Sequence, residues 1–302
     1  MPLSENNILF YWTAPEVIFM RYIPDHDLHI HSQLSPCSSD PNQTPAAILA
    51  YGIASGFRLL SLADHCWDRD VECPCNTWGP MTDAMSCLPL PQNKRCHFIY
   101  GIEADMNQFN VLGISKEHAE MLDFCVIATN HMHLYGFASN PEIHGYGAEE
   151  RARRYKERLH AVMEMDLPFH KCGLAHFTTG LVCEKDPMSW HAYFSDAELK
   201  DIFTKAAKLG MGIELNFNPD SYKGRDLITI LRPYLIAKEV GCKFYFAGDA
   251  HHPGDFYGMR ERNERIISLL TLEESDKIPF IPETIAKLDA GGDSLGKVGL
   301  LK

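Results

Sequence analysis

Asp27-Leu28-His29-Ile30-His31-Ser32 sets two imidazoles two residues apart inside an apolar, β-prone run. Residues i and i+2 of a strand point to one face, so His29 and His31 aim at a common point. Far along the chain Gly248-Asp249-Ala250-His251 repeats the arrangement with Asp249 and His251. Two such pairs, one near each end of the sequence, predict that the chain closes on itself around a metal site.

Between these pairs the pattern recurs in Ala63-Asp64-His65, Gly101-Ile102-Glu103, Asn130-His131-Met132-His133, Leu174-Ala175-His176 and Gly212-Ile213-Glu214. Each group ends or follows a short apolar run: Arg58 to Leu62, Phe98 to Ile102, Cys125 to Thr129, Cys172 to Ala175, Met211 to Leu215, and finally Lys243 to Ala247. One histidine near a strand end is most often an ordinary packed side chain; seven groups in step are not explained that way. Helical patterns separate the runs, which argues for βα units on a parallel sheet. Thr44 as N-cap and Pro45 predict a helix that ends near Gly56, and Ser195-Asp196-Ala197-Glu198 is a capping box for a helix stopped by Gly210. Further helices are expected over Ala148 to Met165 and Ile228 to Val240. Seven βα units can close into a barrel, whose functional side chains gather at the C-terminal ends of the strands.

Composition bounds the function. The 302 residues carry a formal charge of -12, which opposes binding to long nucleic acid, and no run of about twenty apolar residues exists to cross a membrane. Ile8 to Met20 is apolar but interrupted by Pro15 and Glu16, and is read as a packing arm or interface segment, compatible with a homo-oligomer. Ten cysteines without a secretory signal are expected to be free thiols in a reducing cytoplasm. Cys66, Cys73, Cys75, Cys87 and Cys96 share one loop, but their spacing matches no C-x-x-C pair. A single domain is expected: a core over about 22–275, an N-terminal arm at 1–21 and a C-terminal tail at 276–302. Two long connections, Cys66 to Cys96 and Leu134 to Gly147, are candidate walls of the site.

The ordered set D-L-H-I-H-S, A-D-H, G-I-E, His131, His176 and G-D-A-H resembles the PHP (polymerase and histidinol phosphatase) superfamily of metal-dependent phosphoesterases over roughly residues 25 to 255. The resemblance implies a distorted (β/α)7 TIM-like barrel with a cluster of two to three divalent ions, zinc, iron or manganese, at the C-terminal ends of its strands. His29, His31, Glu103 and Asp249 would hold one ion, Glu103 would bridge to a second held by His131 and His176, and His65 with His251 would hold the third. Several family members have a histidine where this chain has Cys37; a thiolate there would favour zinc or iron, while a turn at Ser35-Pro36-Cys37 would leave the third site weak.

The implied reaction is hydrolysis of a small phosphorylated metabolite or nucleotide by a metal-bridging hydroxide, with ions about 3.5 to 4 Å apart. Arg69, Lys223 and Arg225 are candidates for holding the phosphate, and His133 or His252 for protonating the leaving group. Asp64 is expected to orient a ligand histidine, and Glu214 either to do the same or to form a polar pair closing the sheet. A metal-dependent amidohydrolase, a nuclease for short substrates and a non-catalytic metal-binding module remain as alternatives. Amidohydrolases of this kind typically bridge their ions with a lysine where this chain has Glu103.

Overall fold

Short apolar runs separated by capped helices give one all-parallel sheet whose strands follow chain order: β1 (His26–Ile30), β2 (Leu59–His65), β3 (His97–Asp105), β4 (Phe124–Ala128), β5 (Cys172–Leu174), β6 (Gly212–Leu215) and β7 (Phe244–Phe246). The computed structural model describes residues 20–38, 40–73, 78–140, 142 and 147–299. The ring closes where the segment after β7 meets β1: Asp249 N donates to His29 O at 2.7 Å and His31 N to Ala250 O at 3.0 Å. The result is the expected (β/α)7 barrel.

Apart from the short helix Met81–Ala84 after β2, the helices that follow the strands are α1 (Pro45–Ser55), α2 (Lys116–Met121), α3 (Ala148–Met163), α4 (Asp196–Leu209), α5 (Arg225–Glu239) and, after β7, α6 (Met259–Leu270). Thr44 Oγ1 accepts from Ala47 N at the start of α1, and Gly56 ends it at φ 73°. Ser195 and Glu198 form the predicted capping box on α4, which Gly210 terminates at φ 77°. α5 starts at Arg225, three residues before the expected boundary, and α3 stops at Met163.

Strand alternation sorts the side chains into two layers. Leu59, Ala63, Ile99, Phe124, Val126 and Tyr245 fill the barrel, while Leu60, Leu62, Phe98, Tyr100 and Ile102 pack outward under the helices. Gly101 sits where a Cβ would come within 2.5 Å of Phe124 O and 2.9 Å of Leu62 O, so its strand passes its neighbours only without a side chain. The floor is closed by α7 (Phe280–Asp289), which drives Ile281, Ile285 and Leu288 into the interior cluster; these lie in the segment expected as a C-terminal tail. Residues 1–19 of the expected N-terminal arm lie outside the described residues, as does Cys75.

No helix among the described residues is long and apolar enough to cross a membrane. The two long connections pack on one another above the barrel: Trp67, Phe137 and Ala138 form a buried knot against which Trp78 and Leu134 rest. Cys37, Cys66, Cys87, Cys96, Cys125, Cys172 and Cys242 are free thiols, and among the described residues the loop cysteines join no ligand cluster.

Candidate metal centre

Four donor groups converge at the C-terminal mouth of the barrel. His29 Nε2 lies 3.1 Å from His31 Nε2 and 3.2 Å from Glu103 Oε2, and Asp249 Oδ1 is 3.4 Å and 3.1 Å from the two imidazoles. β1 supplies His29 and the residue just past it His31, β3 the glutamate and the turn after β7 the aspartate. Asp249 adopts φ 52° and His176 φ 22°, a left-handed backbone that residues with a Cβ rarely take and that is retained mainly at functional sites.

Glu103 is the hub. Its Oε2 also lies 3.2 Å from His65 Nε2, and its Oε1 lies 3.1 Å from His176 Nε2 and 3.6 Å from His131 Nε2. A third grouping is His31, Cys37 and His251, whose donor atoms all lie within 4.8 Å of one another. His65 thus groups with Glu103 and His131, whereas the resemblance paired it with His251.

A ring of carboxylates and hydroxyls holds the imidazoles from behind. Glu214 Oε2 sits 2.9 Å from His29 Nδ1 and accepts from the Tyr245 hydroxyl at 2.9 Å, while its Oε1 accepts from His176 N at 3.1 Å. Of the two roles open to Glu214 in the sequence, the structure realises the orientation of a histidine. Asp105 lies between two rings, with Oδ1 2.6 Å from His131 Nδ1 and Oδ2 2.7 Å from His65 Nδ1. Ser35 Oγ stands 3.1 Å from His31 Nδ1 and 3.2 Å from Cys37 Sγ. At His29, His31 and His131 an Nδ1 proton donated to these acceptors would leave the Nε2 lone pair facing inward.

The electrostatics of this arrangement demand positive charge. Burial alone would lower the His29 imidazole, yet Glu103, Glu214 and Asp249 hold it well above its ordinary range. His65 is likewise lowered by burial but brought up to about 10 by Glu103 and Asp105. Burial would raise the Glu103 carboxyl, and the surrounding imidazoles instead push it well down. The Cys37 thiol is raised by desolvation but brought down to about 3 by hydrogen bonds with His251, His31 and His65, so it stands as a thiolate. Buried carboxylates, inward-facing imidazole nitrogens and a thiolate form a donor set that fits divalent cations of borderline softness.

Several sequence expectations take a different form. Asp64 faces outward and binds no histidine ring; its two oxygens accept from Ser32 N and Oγ, both at 2.6 Å, because alternation sends Asp64 away from the side of His65. Asp105 does the orienting instead, two residues beyond Glu103 on the same face of β3, a spacing that could have revealed it. His252 is turned to the surface, its Nε2 3.1 Å from Asp255, where it caps a turn and does not line the mouth. His133 does line it, but from the loop past β4 and not from an extended strand. Arg69, Lys223 and Arg225 are exposed, and none lines either cavity flanking the cluster.

Those two cavities share Asp249. One, of about 170 Å³, is walled by Cys37, His65, Trp78, His131, His133 and Leu181, with Trp78 stacked on His65 at 4.6 Å. The other, of about 290 Å³, runs over His176 toward the loop that follows β6.

The fold and this site together define a parallel seven-stranded barrel carrying a buried imidazole–carboxylate cluster at its mouth. Solved structures with the same fold include the histidinol phosphate phosphatase HisK of Lactococcus lactis subsp. lactis Il1403, complexed with zinc, L-histidinol and phosphate. It matches at a TM-score of 0.58 and 15% identity, over 84% of this chain and 98% of that one. A Listeria monocytogenes protein assigned as the histidinol phosphatase HisK matches at a TM-score of 0.53 and 16% identity, over 76% and 96% of the two chains. The sequence matches no protein-family model and no curated protein.

Proposed function

We propose that this chain is a metal-dependent phosphoesterase acting on a small phosphorylated substrate. The observation that carries the reading is the convergence of His29, His31, Glu103 and Asp249, with the second histidine set arranged around the same Glu103. His29, His31, Glu103 and Asp249 would hold one ion; His65, His131 and His176 would share Glu103 toward a second; Cys37 and His251 would be left for a third, because the single inward nitrogen of His31 serves one ion at a time. Zinc, iron and manganese all suit such donors, with Cys37 favouring the softer two. When bound, the ions supply Lewis acidity toward a phosphoryl oxygen and activation of water at neutral pH.

The chain's own residues divide the remaining work. Glu214, Asp105 and Ser35 fix the ring orientations, which keeps the donors arranged before substrate arrives. With no lysine or arginine among the described residues lining either cavity, the phosphate's charge falls to the cluster itself. Burial and the neighbouring His131 bring the His133 imidazole down to about 4, so it meets the substrate neutral, as a hydrogen-bonding group and not as an imidazolium acid. Trp78 and Leu134 close the site from above and restrict water.

The reading is tested by metal analysis of the purified protein together with turnover of p-nitrophenyl phosphate, its bis-ester, histidinol phosphate and nucleotides. Hydrolysis that depends on bound ions and disappears in His29→Ala and Asp249→Ala is the expected result. Stoichiometric metal without turnover of any ester would turn the assignment to amide substrates or to a non-catalytic role.

A further inference from the structure

The cavity of about 290 Å³ beside the cluster, small-molecule sized, has an unusual wall. Thr179, Asn216, Ser221 and Tyr222 line it, and among the described residues none of their side chains has a hydrogen-bond partner in the protein. Among the described residues its acidic and basic lining groups are Asp249, whose Oδ1 is already directed at His29 and His31, and His176, whose Nε2 faces Glu103 Oε1 at 3.1 Å. Nearby Asp220 is exposed, its Oδ1 3.7 Å from Arg265 Nε, and Lys223 is exposed outside the lining. Hydroxyls and a carboxamide can both donate and accept, so four of them around one cavity match a neutral group that also does both. An ammonium on the ligand would find no carboxylate to spare, and a second anionic group would find no cation; either would be desolvated without compensation.

We infer that this cavity receives the alcohol half of the ester, and that the alcohol is neutral and rich in hydroxyls, such as a sugar or polyol, and not an amino alcohol. The inference rests on the phosphoesterase reading and names its substrate class. In the reaction the bond between phosphorus and the alcohol oxygen breaks and a water oxygen bonds to phosphorus. One water proton passes to the departing alkoxide, so inorganic phosphate and a neutral alcohol leave. The uncharged product matches the uncharged wall.

The test is steady-state kinetics of the metal-loaded protein on ribose 5-phosphate and glycerol 3-phosphate, against O-phosphoethanolamine and L-histidinol phosphate, with p-nitrophenyl phosphate as reference. The expected kcat/KM for the neutral-alcohol esters is at least tenfold above that for both amino-alcohol esters. Asn216→Ala combined with Tyr222→Phe is expected to lower the ratio of ribose 5-phosphate to p-nitrophenyl phosphate about tenfold, through KM. Asn216→Asp, which adds a carboxylate to the wall, is expected to move the preference toward O-phosphoethanolamine. Amino-alcohol esters turned over as well as the neutral ones, or a selectivity ratio untouched by these variants, overturn the inference while leaving the phosphoesterase reading standing. Failure on every ester, p-nitrophenyl phosphate included, removes the reading itself and the inference with it.

Discussion

Glu214 and His29, 185 residues apart in sequence, meet at 2.9 Å across the closed barrel, carboxylate to Nδ1. The contact is fully buried and places β6 directly behind His29 of β1. Carboxylates in this position behind a ligand imidazole typically govern metal affinity by about 10–100-fold. Glu214→Gln is therefore expected to weaken metal binding by that order while the fold persists, read out by competition with a chromogenic chelator. Unchanged affinity would mean that His29 is oriented by packing alone.

Cys37 with His31 and His251 offers the only sulfur in the cluster among the described residues. A protein loaded with cobalt(II) at this position is expected to show sulfur-to-metal charge-transfer absorption in the near ultraviolet, lost in Cys37→Ser and in Cys37→His. A spectrum free of that band at full cobalt occupancy would show that the thiolate does not ligate.

Gly173 on β5 leaves the space that the Tyr245 ring crosses to reach Glu214: a Cβ there would lie 2.3 to 2.4 Å from the ring and hydroxyl. Overpacking of a tight core commonly costs about 1–3 kcal/mol. Gly173→Ala is expected to lower stability by that amount and also to weaken metal binding, since the displaced hydroxyl releases Glu214. Denaturant unfolding and the chelator assay check the two effects together; loss of stability with metal affinity intact would break the proposed link.

His191 is packed against Trp190 with ring centroids 3.7 Å apart, and its Nε2 has no partner. Burial, with Arg232 adding to it, lowers the imidazole to about 4. The folded state therefore resists a proton that the unfolded chain accepts at an ordinary pKa of about 6.5. The stability is fully present above that value, declines as pH falls, and levels off below about 4, a loss on the order of 3 kcal/mol. His191→Gln is expected to flatten this part of the profile of unfolding free energy against pH; an unchanged slope would assign the acid sensitivity elsewhere.

Much of this was legible because it is local. The His29/His31 pair is set by two-residue spacing, and the caps at Thr44, Gly56, Ser195 and Gly210 are chemistry within a single turn, whereas Asp249 and His251 lie on a turn past β7, with Asp249 at φ 52°, and fall into different donor groups. What escaped depends on how distant strands align. The spacing from Glu103 puts Asp105 on the right face of β3, but its place between His65 and His131 also needs the β2–β3 register, His65 opposite Glu103, which no local pattern states. The exposed positions of Arg69, Lys223 and Arg225 follow from loop paths, and loops carry no periodicity to read. α7 did leave a trace in the helical spacing of Ile281, Ile285 and Leu288.

Closure of the ring by residues 249–250 and of the floor by α7 has a consequence for synthesis. His29 and His31 leave the ribosome well before Glu214 and Asp249, and the floor under them follows later still. A nascent chain thus carries an incomplete chelate with an unsealed interior. Any ion held by all four donors would therefore depend on the same turn that closes the ring, so metal capture and barrel closure are expected to be coupled.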